Sequence, residues 1–241
     1  VLFTAGTYDA AFPPANLANE HRSNPYRTGT GVAAEFVVMD LLTAKAVNSV
    51  ILLDHTLTAA DTLIKIQGNA TDSWGAPTVN ETLTWASGTI SKVFSQNSLR
   101  YWRLIFTKSS ASETRDIGRL FLGTYYQPVE EPSDLNATEE DLSRKTRSDG
   151  GQIFSDAASS FRVKELPFHG ISTTQKDLLR TFTRRVKTHS SFFLQINESG
   201  AGEMSELLYG KLRKMMEFKN AGWHNDGDLC WDTKLEFEEA L

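Results

Sequence analysis

The stretch from Asn16 to His55 constrains the fold of this chain more than any other. Asn16-Leu17 leads into a polar, aromatic-bearing loop, Arg22-Ser23-Asn24-Pro25-Tyr26-Arg27-Thr28-Gly29. Two apolar runs follow, Glu35-Phe36-Val37-Val38-Met39-Asp40-Leu41 and Val50-Ile51-Leu52-Leu53-Asp54-His55. Runs rich in β-branched residues and bounded by Asn, Asp, Pro and Gly read as strands. No group in the stretch looks able to make or break bonds. The expectation is an all-β binding or assembly module.

The pattern continues to residue 128. Strands are expected at Glu35 to Leu42, Ser49 to Leu53, Thr62 to Gln67, Arg100 to Thr107 and Gly118 to Tyr126. In Tyr101 to Thr107, Trp102, Leu104 and Phe106 share one face, and Tyr101, Arg103, Ile105 and Thr107 share the other. Short strands at this spacing predict a sandwich over residues 1–128. Residues 129–151 are polar, with Pro128 and Pro132 nearby and acidic clusters inside, and read as a linker or arm.

Residues 152–241 read as a mixed α+β domain with one clear helix. Ser172-Thr173-Thr174-Gln175 has capping-box spacing, and Leu178, Leu179, Phe182 and Val186 recur at helical period. Ser191 to Ile196 and Leu229 to Phe237 read as strands. Residues 203–219 fit either period. The turn Asn225-Asp226-Gly227-Asp228 that follows favours a strand in a hairpin.

With 241 residues, 40% of them hydrophobic, and a mean hydropathy of −0.33, the chain can bury a substantial core. No apolar run approaches the roughly 20 residues of a spanning helix, and no membrane partner is expected. The first residues, Val1-Leu2-Phe3-Thr4-Ala5-Gly6, have no basic region ahead of a long apolar one, so no signal peptide is expected. Cys230 is the single cysteine, which excludes an internal disulfide framework. The net charge of −5 is segregated: residues 129–159 balance at −5, 160–220 at +5 and 221–241 at −5. Such blocks suit contacts between complementary surfaces and also suit plain solvated faces.

Nothing in the motif content supports catalysis. There is no Gly-rich phosphate loop, no His-Glu-x-x-His and no Gly-x-Ser-x-Gly. His224, Asp226, Asp228 and Cys230 are close in sequence but fit no calcium-loop spacing, so neither metal nor cofactor is expected. His55 and His169 read as structural, hydrogen-bonded residues. Tyr26, Arg27, Trp74 and Trp85 are the ligand-binding candidates, because aromatic rings stack on the apolar faces of sugars and arginine supplies a planar fork of donors. Arg180, Arg184, Arg185 and Lys187 mark a basic helix. On an acidic chain that suggests a protein interface or a solvated face rather than nucleic acid.

Residues 14–127 resemble the discoidin, or coagulation-factor type C, group of galactose-binding-like jelly rolls. The resemblance rests on Asn16-Leu17, Tyr26-Arg27, Phe36 to Leu41, Val50 to Leu53, Tyr101-Trp102-Arg103-Leu104 and Ile117 to Gly123. That group often closes its domain with a disulfide, which one cysteine cannot form. Its sugar-binding residues vary, so none is carried over.

The whole chain resembles tail or baseplate structural proteins of bacteriophages and prophages that begin with such a domain. The motifs are Leu53-Asp54-His55-Thr56-Leu57, Asp149-Gly150-Gly151-Gln152-Ile153-Phe154, Arg162 to Phe168 and Trp231 to Leu241. This resemblance implies a non-enzymatic virion part, assembled in the host cytoplasm. Its partners would be other tail or baseplate proteins, copies of itself and a host-surface glycan. The alternative is a free-standing carbohydrate-binding, lectin-like protein.

Overall fold

The computed structural model describes residues 1–19, 23–128, 136–149, 151–197, 205–223 and 229–240. The chain is mainly β, with one α-helix, and divides into two compact units, Val1–Tyr126 and Gln127–Leu241.

The first unit contains β1 (Leu2–Ala5), β2 (Tyr26–Arg27), β3 (Ala34–His55), β4 (Thr62–Asn69), β5 (Val79–Thr82), β6 (Thr89–Thr107) and β7 (Asp116–Gly123). Its backbone order is β2-β7-β3-β6-β4-β5, with β1 beside β3, and every pairing is antiparallel. The two runs expected as separate strands are halves of one long strand, β3. Its first half pairs with Tyr101–Thr107 of β6, and its second half pairs with Thr89–Val93 and with β7. The register shifts between Asp40 and Lys45, where Leu42 adopts a positive φ of 66°. Strands β3 and β6 therefore run through both layers of a jelly-roll sandwich.

Alternation supplies the filling of this sandwich. Val37, Met39, Val50 and Leu52 from β3 meet Trp102, Leu104 and Phe106 from β6 in one buried cluster. Leu17, on a short 3-10 turn at Pro14–Ala18, joins the same core. Gly68 is required here, because a Cβ would stand 2.9 Å from the Trp102 ring.

The second unit contains β8 (Asn136–Asp141), β9 (Arg144–Arg147), β10 (Ile153–Asp156), β11 (Ser160–Ser172), α1 (Thr173–Val186), β12 (Phe192–Asn197), β13 (Ser205–Leu212), β14 (Phe218–Trp223) and β15 (Leu229–Glu239). Six strands form one sheet in the order β12-β13-β15-β11-β8, with β14 on β15, while β9 and β10 form a separate hairpin. Part of the expected linker is thus strand: β8 is an edge of the main sheet, paired to β11 from Asn136↔Glu165 to Asp141↔Ser160. Residues 129–135 of that stretch lie outside the described residues, as does the expected turn at 225–228. The ambiguous 203–219 segment is strand at β13 and at the start of β14, while Arg213 to Glu217 between them form a non-strand connection.

Helix α1 covers the sheet. Ser172 caps it, its hydroxyl accepting the Gln175 backbone N–H at 3.3 Å. The reciprocal half of the capping box is not made, because the Gln175 side chain is buried and its Oε1 has no partner. The buried face is Gln175, Leu179, Thr183 and Val186, and Leu178 faces solvent. Phe192 packs edge-on against Phe182 at 5.1 Å and Phe237 at 5.2 Å, which ties helix to sheet.

Candidate functional site

The structure does not gather the four ligand candidates. Tyr26 is fully buried in the sandwich core, because β2 pairs with β7 at Tyr26↔Ile117 and directs the ring inward. Burial, with Glu35 adding to it, pushes its phenol well above the usual tyrosine value. A ring in that position is not available for stacking on a ligand. Arg27 is spent on the protein: Nε and Nη2 donate to Asp116 at 2.7 and 2.9 Å, and the guanidinium lies 4.2 Å from the centre of Phe12. Neither residue fits the expected ligand role.

Trp74 and Trp85 sit at opposite ends of the β4–β5 pair, Trp74 between the two strands and Trp85 after β5. Trp85 is 37% exposed, and its indole N–H donates to the Leu57 carbonyl at 2.9 Å. His55 lies at the same end. Burial lowers its pKa, opposed by backbone groups of Ala86 and Leu57 beside the ring, and among the described residues no partner meets full hydrogen-bond geometry at either nitrogen. His169 is half-exposed, with Nδ1 3.6 Å from Asp232.

Trp74 belongs to the stronger constellation. Residues Gln67 and Asn80 are cross-strand partners between β4 and β5, and Gln67 and Arg103 are partners between β4 and β6. Three polar side chains therefore form a row across three strands on the face opposite Trp102 and Leu104. Arg103 Nε and Nη2 both donate to Gln67 Oε1, at 3.0 and 2.6 Å, and Gln67 Nε2 donates to Asn80 Oδ1 at 3.1 Å. The Arg103 guanidinium lies 4.6 Å from the centre of the Trp74 ring.

The loop that presents Trp74 is braced by its own side chains. Asn69 donates to the Ser73 carbonyl at 2.7 Å and accepts from Ala70 N–H and the Thr78 hydroxyl. Trp74 Nε1 donates to Asp72 Oδ1 at 2.7 Å. Such side-chain brackets hold a loop in one shape before a ligand arrives.

Arg103 was not among the sequence candidates, and it is what sets this patch apart. Arg27, Arg100 and Arg115 each hold a carboxylate, at Asp116, Asp40 and Asp61. Among the described residues Arg103 has none, and its Nη1 donates to no protein group. Burial pulls its pKa below the usual arginine value, opposed only at a distance by Asp72. A half-buried guanidinium with unspent donors beside an aromatic ring, an amide and a carboxylate can bind hydroxyl-rich or anionic ligands.

The interface candidates divide. Arg180 and Arg184 are exposed and line a groove of the second unit; Arg185 and Lys187 are exposed outside it. Cys230 is buried, whereas His224, Asp226 and Asp228 lie outside the described residues. Among the described residues no three His, Cys, Asp or Glu side chains converge as metal ligands. No described helix is long and apolar enough to cross a membrane.

Fold and patch together define a two-unit β protein whose first unit is a jelly-roll sandwich bearing a polar, aromatic surface site. Comparison with solved structures finds carbohydrate-binding modules. Chitosan-binding module 1 of a Paenibacillus sp. IK-5 chitosanase/glucanase is 20% identical with a TM-score of 0.41, over 50% of this chain and 92% of that one. The CBM32 of AlyQ, solved with 4,5-unsaturated mannuronic acid, is 19% identical with a TM-score of 0.42, over 52% and 95%. The Streptococcus pneumoniae fucose-binding module SpX-3 is 10% identical with a TM-score of 0.43, over 52% and 94%. No protein-family model matches the chain, and no curated protein matches it.

Proposed function

We propose that the first unit is a carbohydrate-binding module and that it attaches the chain to a glycan. The observation that carries this reading is Arg103, held on Gln67, stacked on Trp74 and, among the described residues, without a carboxylate partner. A sugar ring lays its apolar face on the half-exposed indole. Its hydroxyl oxygens accept from Arg103 Nη1 and the Asn80 amide, and its hydroxyl protons go to the Asp72 carboxylate. The role is binding, and no catalytic step is assigned to it. A glycan array probed with the wild-type chain and with Trp74→Ala tests the reading. Binding to a restricted set of glycans, lost in Trp74→Ala, supports it. Equal signal from both proteins contradicts it.

The second unit supports a narrower reading, in which the attachment protein is a tail or baseplate part of a phage-like particle and the glycan lies on the host surface. Its support is the motif resemblance, together with a second unit that has its own core and an exposed basic helix. Electron microscopy of the purified chain tests it. A ring or trimer supports the reading, and a uniform monomer contradicts it.

A further inference from the structure

Helix α1 and the chain entering β14 enclose a groove of about 330 Å³ in the second unit. One wall is a single stripe of cations, Lys176, Arg180 and Arg184, spaced four residues apart along α1. The floor is Met215, Met216, Phe218 and Trp231. Like charges four apart on a helix repel one another and weaken it. Among the described residues neither Arg180 nor Arg184 makes an ion pair, and no carboxylate among them lines the groove.

Lys176 is held over the Trp231 ring at 4.0 Å, and Trp231 Nε1 donates to Thr173 Oγ1 at 3.3 Å. These contacts fix one end of the wall. Met215, by contrast, is 42% exposed. Flexible, polarisable thioethers suit a floor that adapts to an incoming side chain.

A second, independent feature borders the groove. Strand β14 pairs with β15 along one edge only. Among the described residues its other edge makes no backbone hydrogen bond. Its far end carries Trp223 at 72% exposure, and Lys219 near its start is an exposed cation. An unpaired edge next to a groove offers a ladder to an extended segment.

We propose that this groove is a docking site for an acidic, extended peptide segment of a protein partner, with one apolar side chain seated on Met215 and Phe218. Carboxylates of the segment meet Arg180 and Arg184, and its backbone extends the sheet at β14. This docking is independent of glycan binding by the first unit, which supplies none of the groove.

The test uses the full chain and a fluorescein-labelled library of acidic heptapeptides, each carrying one Leu, Met or Phe, read by fluorescence polarisation. The expected result is saturable binding that weakens as salt is raised. The double variant Arg180→Glu/Arg184→Glu should lose about tenfold or more in affinity, equivalent to about 1.4 kcal/mol. Both side chains are exposed, so its circular dichroism should match wild type. Met215→Asp, also exposed, should weaken binding without the loss of either arginine. The proposal is overturned if no acidic peptide binds, or if the double variant binds equally well. It is also overturned if a single-stranded oligonucleotide displaces every peptide and binds more tightly through the same two arginines.

Discussion

Arg103 and Trp74 come from different strands and loops yet meet at 4.6 Å, guanidinium over indole, while two N–H groups of the same guanidinium clasp Gln67. The clasp fixes the plane of the arginine, and the stacked ring fixes its position. Arg103→Lys keeps the charge but removes the fork. A cation over an aromatic ring at an accessible site is worth about 0.5–1 kcal/mol. The variant should therefore lose no more than about that in stability to urea, while glycan affinity on the array falls about tenfold.

Asp40 anchors the bend at which β3 passes from one layer of the sandwich to the other. Its Oδ1 accepts from Arg100 Nε and from the Leu42 N–H, each at 2.7 Å. The Arg100 guanidinium holds its pKa down at about 2, against burial and with help from the Leu42 amide. A lowered folded-state pKa contributes stability above the unfolded value, about 3.9 for an aspartate, and that stability is lost as pH falls towards the folded value. The urea midpoint of the first unit should therefore drop between pH 4 and 2. Asp40→Asn should flatten that drop, and an unchanged pH profile would contradict this role for Asp40.

Asp61 and Arg115 form a buried polar knot in the sandwich. Arg115 Nε donates to Asp61 Oδ2 at 2.7 Å and Nη2 to Oδ1 at 3.0 Å, and the Thr58 and Ser109 amides also point at the carboxylate. The Asp61 side chain is completely buried and that of Arg115 is 6% exposed. Burial alone would raise the Asp61 pKa, and Arg115 with the two amides overcomes it and holds the group below the usual carboxylate range. Asp61→Ala leaves the buried guanidinium with only the half-exposed Glu113, 2.6 Å from Nη2, as a carboxylate partner, and leaves two amides unpaired. Removing one member of such a pair costs about 3–5 kcal/mol. Chemical denaturation of Asp61→Ala should show a loss of that order.

The sandwich was legible because its buried strands alternate or run apolar: Trp102, Leu104 and Phe106 fall on the core face as their spacing predicts. Three features were hidden for physical reasons. Strands β8 and β9 carry Asn136-Ala137-Thr138-Glu139-Glu140-Asp141 and Arg144-Lys145-Thr146-Arg147, almost wholly solvent-facing, so they leave no apolar period to read. The burial of Tyr26 depends on β7, some ninety residues away, while its neighbours Pro25 and Arg27 suggest a loop. Arg103 stands opposite Val38 and Gln67 rather than a carboxylate, which is a property of pairing rather than of sequence. The only local hint was its place on the polar face of Tyr101–Thr107.

Gly210 lies where β13 meets β15. A Cβ there would collide with the Glu238 carbonyl oxygen and stand 2.6 Å from the Phe237 ring. Since overpacking costs about 1–3 kcal/mol even when the collision is with movable side chains, Gly210→Ala should cost at least that in the second unit. The first unit has a separate core, and its Trp102 environment should report an unchanged melting transition. Parallel loss of both transitions would contradict the independence of the two cores.

The most direct test of the central claim is the side-chain ¹H–¹⁵N NMR spectrum of the chain during titration with a glycan selected from the array. Trp74 Nε1–H and Arg103 Nε–H should shift together and saturate at the same ligand concentration, while Trp85 Nε1–H, at the far end of the sandwich pair, stays in place. Saturable shifts at Trp85 with none at Trp74 or Arg103 would contradict the assignment of the glycan site.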